Sequence, residues 1–103
     1  MRVVFMGTPD FSVGTVKAII EAGHEVAAVV TQPDKPKGRS KALVCSPVKE
    51  EAMLHGLRIL QPQRARDEEF IRELKAINAD VFVVVAFGQI LPSSIINMPP
   101  YGC

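Results

Sequence analysis

The sequence predicts an α/β domain in which a parallel sheet with flanking helices is built in the order β-α-β-α-β-α-β. Three observations carry that expectation. The apolar runs at residues 2–6, 26–30 and 81–86 are continuous rather than alternating, as in strands covered on both faces. Between them lie segments whose apolar residues recur at i, i+3 and i+4, the pattern of a helix with one buried face. Gly, Pro, Ser or Asp marks most changes of pattern.

The elements follow in order. RVVFM, residues 2–6, reads as the first strand. Asp10 can cap a helix with Val13, Val16, Ile19 and Ile20 on one stripe, ended by Gly23 just past its last turn. VAAVV, residues 26–30, is the second strand. Ser46-Pro47 supplies an N-cap followed by proline at the first helical position, and that helix stops at His55-Gly56. Residues 57–60 form a brief third strand. Asp67 opens a third helix carrying Phe70, Ile71, Leu74 and Ile77, and residues 81–86 form the fourth strand, followed by a loop over 87–92. Right-handed crossovers then set the strand order 3-2-1-4, as in a Rossmann-type half.

Composition narrows the function classes. A chain of 103 residues that is 48% hydrophobic and 22% charged is globular and at most one domain. A formal net charge of +1 means that affinity for polyanions must come from local clustering. Cys45 and Cys103 have no CxxC or Cys/His spacing, which argues against zinc and against a disulfide framework, so no metal is expected. MRVVFMG is too quickly interrupted for a signal peptide, and no apolar run approaches about 18 residues. A reducing, cytoplasmic setting without membrane attachment is expected.

Ligands of such sheets bind where the strands end at their carboxyl termini. The loop over residues 7–10, the stretch from Thr31 and the loop over 87–92 emerge there. The first, in GTPDFSVG, lacks GxGxxG; Pro9 removes the freedom a second glycine supplies, and Asp10 would repel a pyrophosphate. A dinucleotide site is therefore not expected, and no P-loop is present. The second, TQPDKPKGRSK over residues 31–41, puts Lys35, Lys37, Arg39 and Lys41 on every second position with only Asp34 against them. An extended backbone would present all four to one side as a phosphate-binding surface; a solvated connector is the other reading. His24 and His55 sit at helix ends, and Asp67, Glu68 and Glu69 complement a helix dipole, so no catalytic set is visible from spacing.

Four blocks add a resemblance. FMGTPDF at 5–11, TQPDKPKGR at 31–39, SPVK at 46–49 and DVFVVVAFGQILP at 80–92 are in register, over the whole chain, with the amino-terminal part of the methionyl-tRNA formyltransferases, which they closely resemble. The resemblance implies a Rossmann-like formyltransferase fold and transfer of a formyl group from 10-formyltetrahydrofolate, as co-substrate, to the amino group of initiator methionyl-tRNA. It assigns Phe87, Gly88, Gln89, Ile90 and Leu91 to the loop that cradles the donor's pterin ring. Those contacts are expected mainly through the main chain, so that replacing Gln89 by Ala should barely change folate affinity. It assigns Lys35, Lys37, Gly38, Arg39 and Lys41 to the tRNA acceptor end, with Arg39 as the key cation. Arginine can grip phosphate with two hydrogen bonds or stack on an unpaired base.

In that family an Asn, a His and an Asp hold the oxyanion and move protons as the amine attacks the formyl carbon. The Asn and His usually follow a Gly-Cys pair like Gly102-Cys103, so no catalytic residue is expected within the 103 residues. The chain is expected to be the truncated amino-terminal part of a catalytic domain, lacking the rest of that domain and a carboxy-terminal β-barrel, and inactive alone. Two other functions stay open: a formyltransferase acting on a small amine (glycinamide ribonucleotide or an amino-sugar nucleotide), and a stand-alone RNA-binding α/β module. The uncharged strand over 81–86 would lie at a sheet edge, so the chain is expected to self-associate there unless residues 93–103 fold back, whereas the full-length enzyme is expected to be a monomer.

Overall fold

The computed structural model describes residues 1–37 and 42–103, with Lys37 and Ala42 described by backbone alone. Its main sheet has four parallel strands, β1 (Arg2–Gly7), β2 (Glu25–Val30), β5 (Ile59–Leu60) and β6 (Val81–Val85), in the order β5-β2-β1-β6. This is the expected 3-2-1-4. β1 pairs on both edges, from Val3↔Val81 to Gly7↔Val85 on one side and from Arg2↔Glu25 to Met6↔Val30 on the other, where the register shifts between Val3 and Val4.

The continuous apolar runs are explained by two cores. Val4 and Met6 enter one with Phe82 and Ile95, and with Phe70, Leu74 and Ile77 of α3 (Glu68–Ile77). Phe5 enters the other with Val29, with Val16 of α1 (Val13–Glu21), and with Val48 and Ala52 of α2 (Pro47–Leu54). Helices α1 and α2 thus cover one face and α3 the other, where a short α4 (Ser93–Ile96) adds Ile95.

The start of α2 is as expected: Ser46 Oγ accepts from the Lys49 backbone N–H at 3.0 Å, with Pro47 at the first position. The start of α1 is not. Asp10 opens a single 3-10 turn, Asp10–Ser12, and Ser12 takes the N-cap position of α1. The reason is tertiary, because buried Ser12 donates through Oγ to the Val85 carbonyl at 2.8 Å and ties the turn to the end of β6.

Two further differences concern edges and loops. The basic stretch enters a two-stranded antiparallel ribbon, β3 (Lys35–Lys37) paired with β4 (Ala42–Val44), rather than an open loop. The outer edge of β6, expected to be fully open, is covered at its start: Phe82 N–H donates to the Gly102 carbonyl and Tyr101 N–H to the Asp80 carbonyl, both at 3.0 Å. The tail folds back far enough to leave the part around half-exposed Val84 uncovered.

Gly7 ends β1 where strands are closest. A Cβ there would lie 2.6 Å from Phe5 Cε2 and 2.8 Å from the Val85 carbonyl oxygen, both held in place by burial or pairing. Gly7→Ala should therefore destabilise by about 1–3 kcal/mol. Gly14→Ala, where nothing lies within 4 Å of the added atom, should be neutral or gain up to about 1 kcal/mol from helix propensity. Urea denaturation of the two variants side by side checks the contrast.

Candidate functional site

The loops that leave the carboxyl ends of the four strands are bonded into one rim. Thr8 Oγ1 donates to the Phe87 carbonyl at 2.8 Å and accepts from Gln32 N–H at 3.4 Å. Gln61 Nε2 donates to the Gln32 carbonyl at 3.2 Å and to Asp34 Oδ1 at 2.8 Å. Gln89 joins three loops: its Oε1 accepts from the Ala65 backbone N–H at 2.7 Å, and its Nε2 donates to Gln32 Oε1 at 2.8 Å and to the Pro62 carbonyl at 3.0 Å. The Gln89 side chain is thus fully engaged inside the protein. Its part in the protein is structural, because a half-buried amide that satisfies a buried N–H cannot be removed without leaving that donor unpaired.

The loop after β6 turns sharply to allow this. Ala86 and Gly88 have φ of 53° and 94°, and a Cβ on Gly88 would stand 2.8 Å from Gln32 Nε2. Phe87 is buried, Leu91 packs partly buried against the α3-side core, and Ile90 is 93% exposed. Gly88, Gln89 and Ile90, with Gln32 and Pro92, form one wall of an open groove of about 670 Å³ whose other wall is residues 63–66. Of the five residues expected to contact the donor, three line this groove while Phe87 and Leu91 support it from beneath. Arg64 and Arg66 supply cations at its far wall. They were not anticipated, since they belong to no motif and reach the site only because β5 ends beside β2.

A smaller cleft of about 140 Å³ lies between the loop after β1 and the ribbon. Thr8, Pro9, Gln32, Lys35, Val44 and Pro47 are among its lining residues. Gln32 borders both openings, so groove and cleft adjoin. Lys35 lines the cleft, and Lys37 belongs to β3 by its backbone; Gly38, Arg39 and Lys41 lie outside the described residues. Among the described residues, Asp34 pairs with a lysine outside the ribbon. Its carboxylate turns inward to Lys49 Nζ, at 3.1 and 3.0 Å from its two oxygens. The Gln61 amide and then the Lys49 ammonium hold its pKa below the usual carboxylate value. A pKa lowered in the folded state adds stability at neutral pH and loses it only as pH falls through that lowered value.

The histidines are elsewhere, as expected for helix-end residues: His24 Nδ1 lies 3.0 Å from the Met1 amine, and His55 Nε2 lies 2.7 Å from Glu51. Among the described residues, no three His, Cys, Asp or Glu side chains converge as metal ligands, and no helix is long and apolar enough to cross a membrane. The rim thus carries an open groove with the β3–β4 ribbon beside it.

A parallel sheet of this order with a groove at its strand ends defines a class, and the family comparison agrees: the model described as formyl transferase matches residues 1–103. The chain belongs to the formyl transferase family. Among named relatives, it is 78% identical over 103 residues to the methionyl-tRNA formyltransferase of Lachnospira eligens, covering 100% of this chain and 33% of that protein. It is 55% identical over 102 residues to that of Bacillus subtilis, covering 99% and 32%. The chain therefore spans about a third of the length of the curated relatives it matches. Among solved structures, phosphoribosylglycinamide formyltransferase from Bacillus halodurans superposes with a TM-score of 0.67 at 16% identity, covering 95% of this chain and 51% of that one. At that identity the likeness bears on fold alone.

Gln89→Ala should cost about 1–3 kcal/mol, the penalty of leaving the buried Ala65 N–H without its acceptor. Faster amide exchange at Ala65 and a lowered denaturation midpoint are the expected readings. An unchanged midpoint with Ala65 still protected would show that another acceptor replaces the glutamine.

Proposed function

We propose that this chain is the amino-terminal part of a cytoplasmic enzyme that transfers the formyl group of 10-formyltetrahydrofolate to the amino group of initiator methionyl-tRNA. The observation that carries the proposal is the 78% identity, unbroken over all 103 residues, to a methionyl-tRNA formyltransferase. The geometry supports it by placing a groove and a basic ribbon side by side. The small-amine alternative rests on likeness of fold, and nothing in the ribbon favours it.

The groove fits the donor in size and chemistry. Its volume of about 670 Å³ lies in the range of small-molecule sites. Gly88 is exposed on the groove wall, its missing side chain making room for the Gln32 amide behind it, and exposed Ile90 offers an apolar surface beside it. Arg64 and Arg66 on the opposite wall suit the carboxylates at the other end of a folate. The donor supplies the activated formyl carbon. The residues described here bind and orient it, while the Asn, His and Asp that the family uses on the amine are assigned to the part of the enzyme beyond these residues.

The ribbon then faces the acceptor end of the tRNA, with Lys35, Lys37 and Lys41 as phosphate contacts and Gly38-Arg39 at the closest approach. Arg39→Ala in the full-length protein should reduce kcat/KM for tRNA by the equivalent of about 1–3 kcal/mol and leave the KM for the donor unchanged. An unaltered kcat/KM for tRNA would make the ribbon a solvated connector. The 103 residues assayed alone should show less than about a hundredth of the full-length turnover, the loss expected when proton-handling groups are missing.

A further inference from the structure

The basic ribbon projects from the rim on two stalks, residues 31–34 leading in and 45–46 leading out. Two side-chain bridges close its base. Buried Thr31 pairs with Ser46 through their hydroxyls at 2.6 Å, and Asp34 pairs with Lys49 at 3.0 and 3.1 Å, each bridge joining residues 15 apart in the chain. Ser46 and Lys49 belong to the start of α2, so both bridges fix the ribbon to a helix that packs on the sheet. The second is the more constrained. Lys49 is held twice, by its backbone N–H to Ser46 Oγ and by its ammonium to Asp34, and its side chain is only 19% exposed. Asp34 is further held by Gln61 Nε2, which also grips the Gln32 carbonyl.

A lysine in the first turn of a helix sits at the positive end of the helix dipole, where a carboxylate is favoured. An aspartate in a phosphate-binding segment repels the ligand. Each residue is poorly placed for local reasons, and the pair explains both. We infer that Asp34 and Lys49 are positioning residues: their ion pair sets the angle at which the ribbon meets the tRNA acceptor end, and tRNA recognition depends on it. The inference rests on the proposed RNA contact of the ribbon.

The sign of one substitution separates this role from simple electrostatics. Asp34→Asn removes a negative charge beside a polyanion site, so charge alone would tighten tRNA binding. It keeps an oxygen for Gln61 and, among the described residues, loses the ionic hold on Lys49. If Asp34 positions the ribbon, the variant should instead lower kcat/KM for tRNA by about tenfold, the scale of one lost charge-assisted hydrogen bond, mostly through KM. Lys49→Met should do the same, and the double variant should be no worse than either single one. KM for the donor should stay at its parent value, and the thermal midpoint should fall only by the small amount that one partly exposed ion pair contributes. Arg39→Ala should also cost less in the Asp34→Asn background than in the parent.

The measurement is steady-state formylation of methionyl-tRNA by the full-length protein and these variants, with thermal denaturation alongside. Unchanged or improved kcat/KM for Asp34→Asn, while Arg39→Ala alone remains costly, would overturn the positioning role and leave the RNA contact standing. A lowered midpoint together with a raised donor KM would overturn it as well, since the pair would then hold up the whole rim. No effect of Arg39→Ala by itself would instead overturn the RNA contact, and this inference with it.

Discussion

β1 must satisfy its backbone on both edges and its side chains on both faces, and the rest of the domain is arranged around that requirement. Val4, Phe5 and Met6 have no exposed surface, so every peptide group along them has to pair with β2 or β6. Parallel pairing on both sides is possible only if the chain crosses over through helices, and the opposite side chains of Phe5 and Val4 give those helices their two docking faces. The closeness of the strands at Gly7 follows from the same packing. A centre so fully occupied leaves binding to the ends of the strands.

At those ends the polar groups do not wait for a ligand; most are committed to one another. Gln89, Gln61 and Thr8 use their side chains to join the loops after β6, β5 and β1 to the backbone of Gln32 or to its amide. This makes a rigid platform from segments that would otherwise be independent loops, and rigidity lowers the ordering cost of binding a small molecule. The exposed residues that line the groove include Gly88, Ile90, Gln63 and the two arginines. The amides of Gln61 and Gln89 thus hold the loops of the rim to one another.

Charge is organised in the same local way. The net charge of +1 says nothing about RNA, because the lysines of the ribbon are balanced by carboxylates elsewhere in the chain. The nearest carboxylate, Asp34, is withdrawn to Lys49 and Gln61.

Much of the fold was legible because it depends on local pattern. Continuous apolar runs gave strands buried on both faces, the 3.6-residue stripe of Phe70, Leu74 and Ile77 gave α3, and Ser46-Pro47 gave the start of α2, each from residues adjacent in the chain. The four blocks gave the family. Other features needed the tertiary structure: Ser12 displacing Asp10 at the head of α1, β4 pairing with the basic stretch, and Tyr101 and Gly102 covering the start of β6. So did the roles of Gln89 and Asp34, together with the place of Arg64 and Arg66 in the groove wall. All of these join residues distant in sequence, and a side chain with several possible partners has its choice made by whichever group the packed sheet brings within about 3 Å. The sequence by itself determined the periodicities and hence the sheet, its order and the end at which its long loops gather; which polar side chains hold that end together was decided only when the loops met.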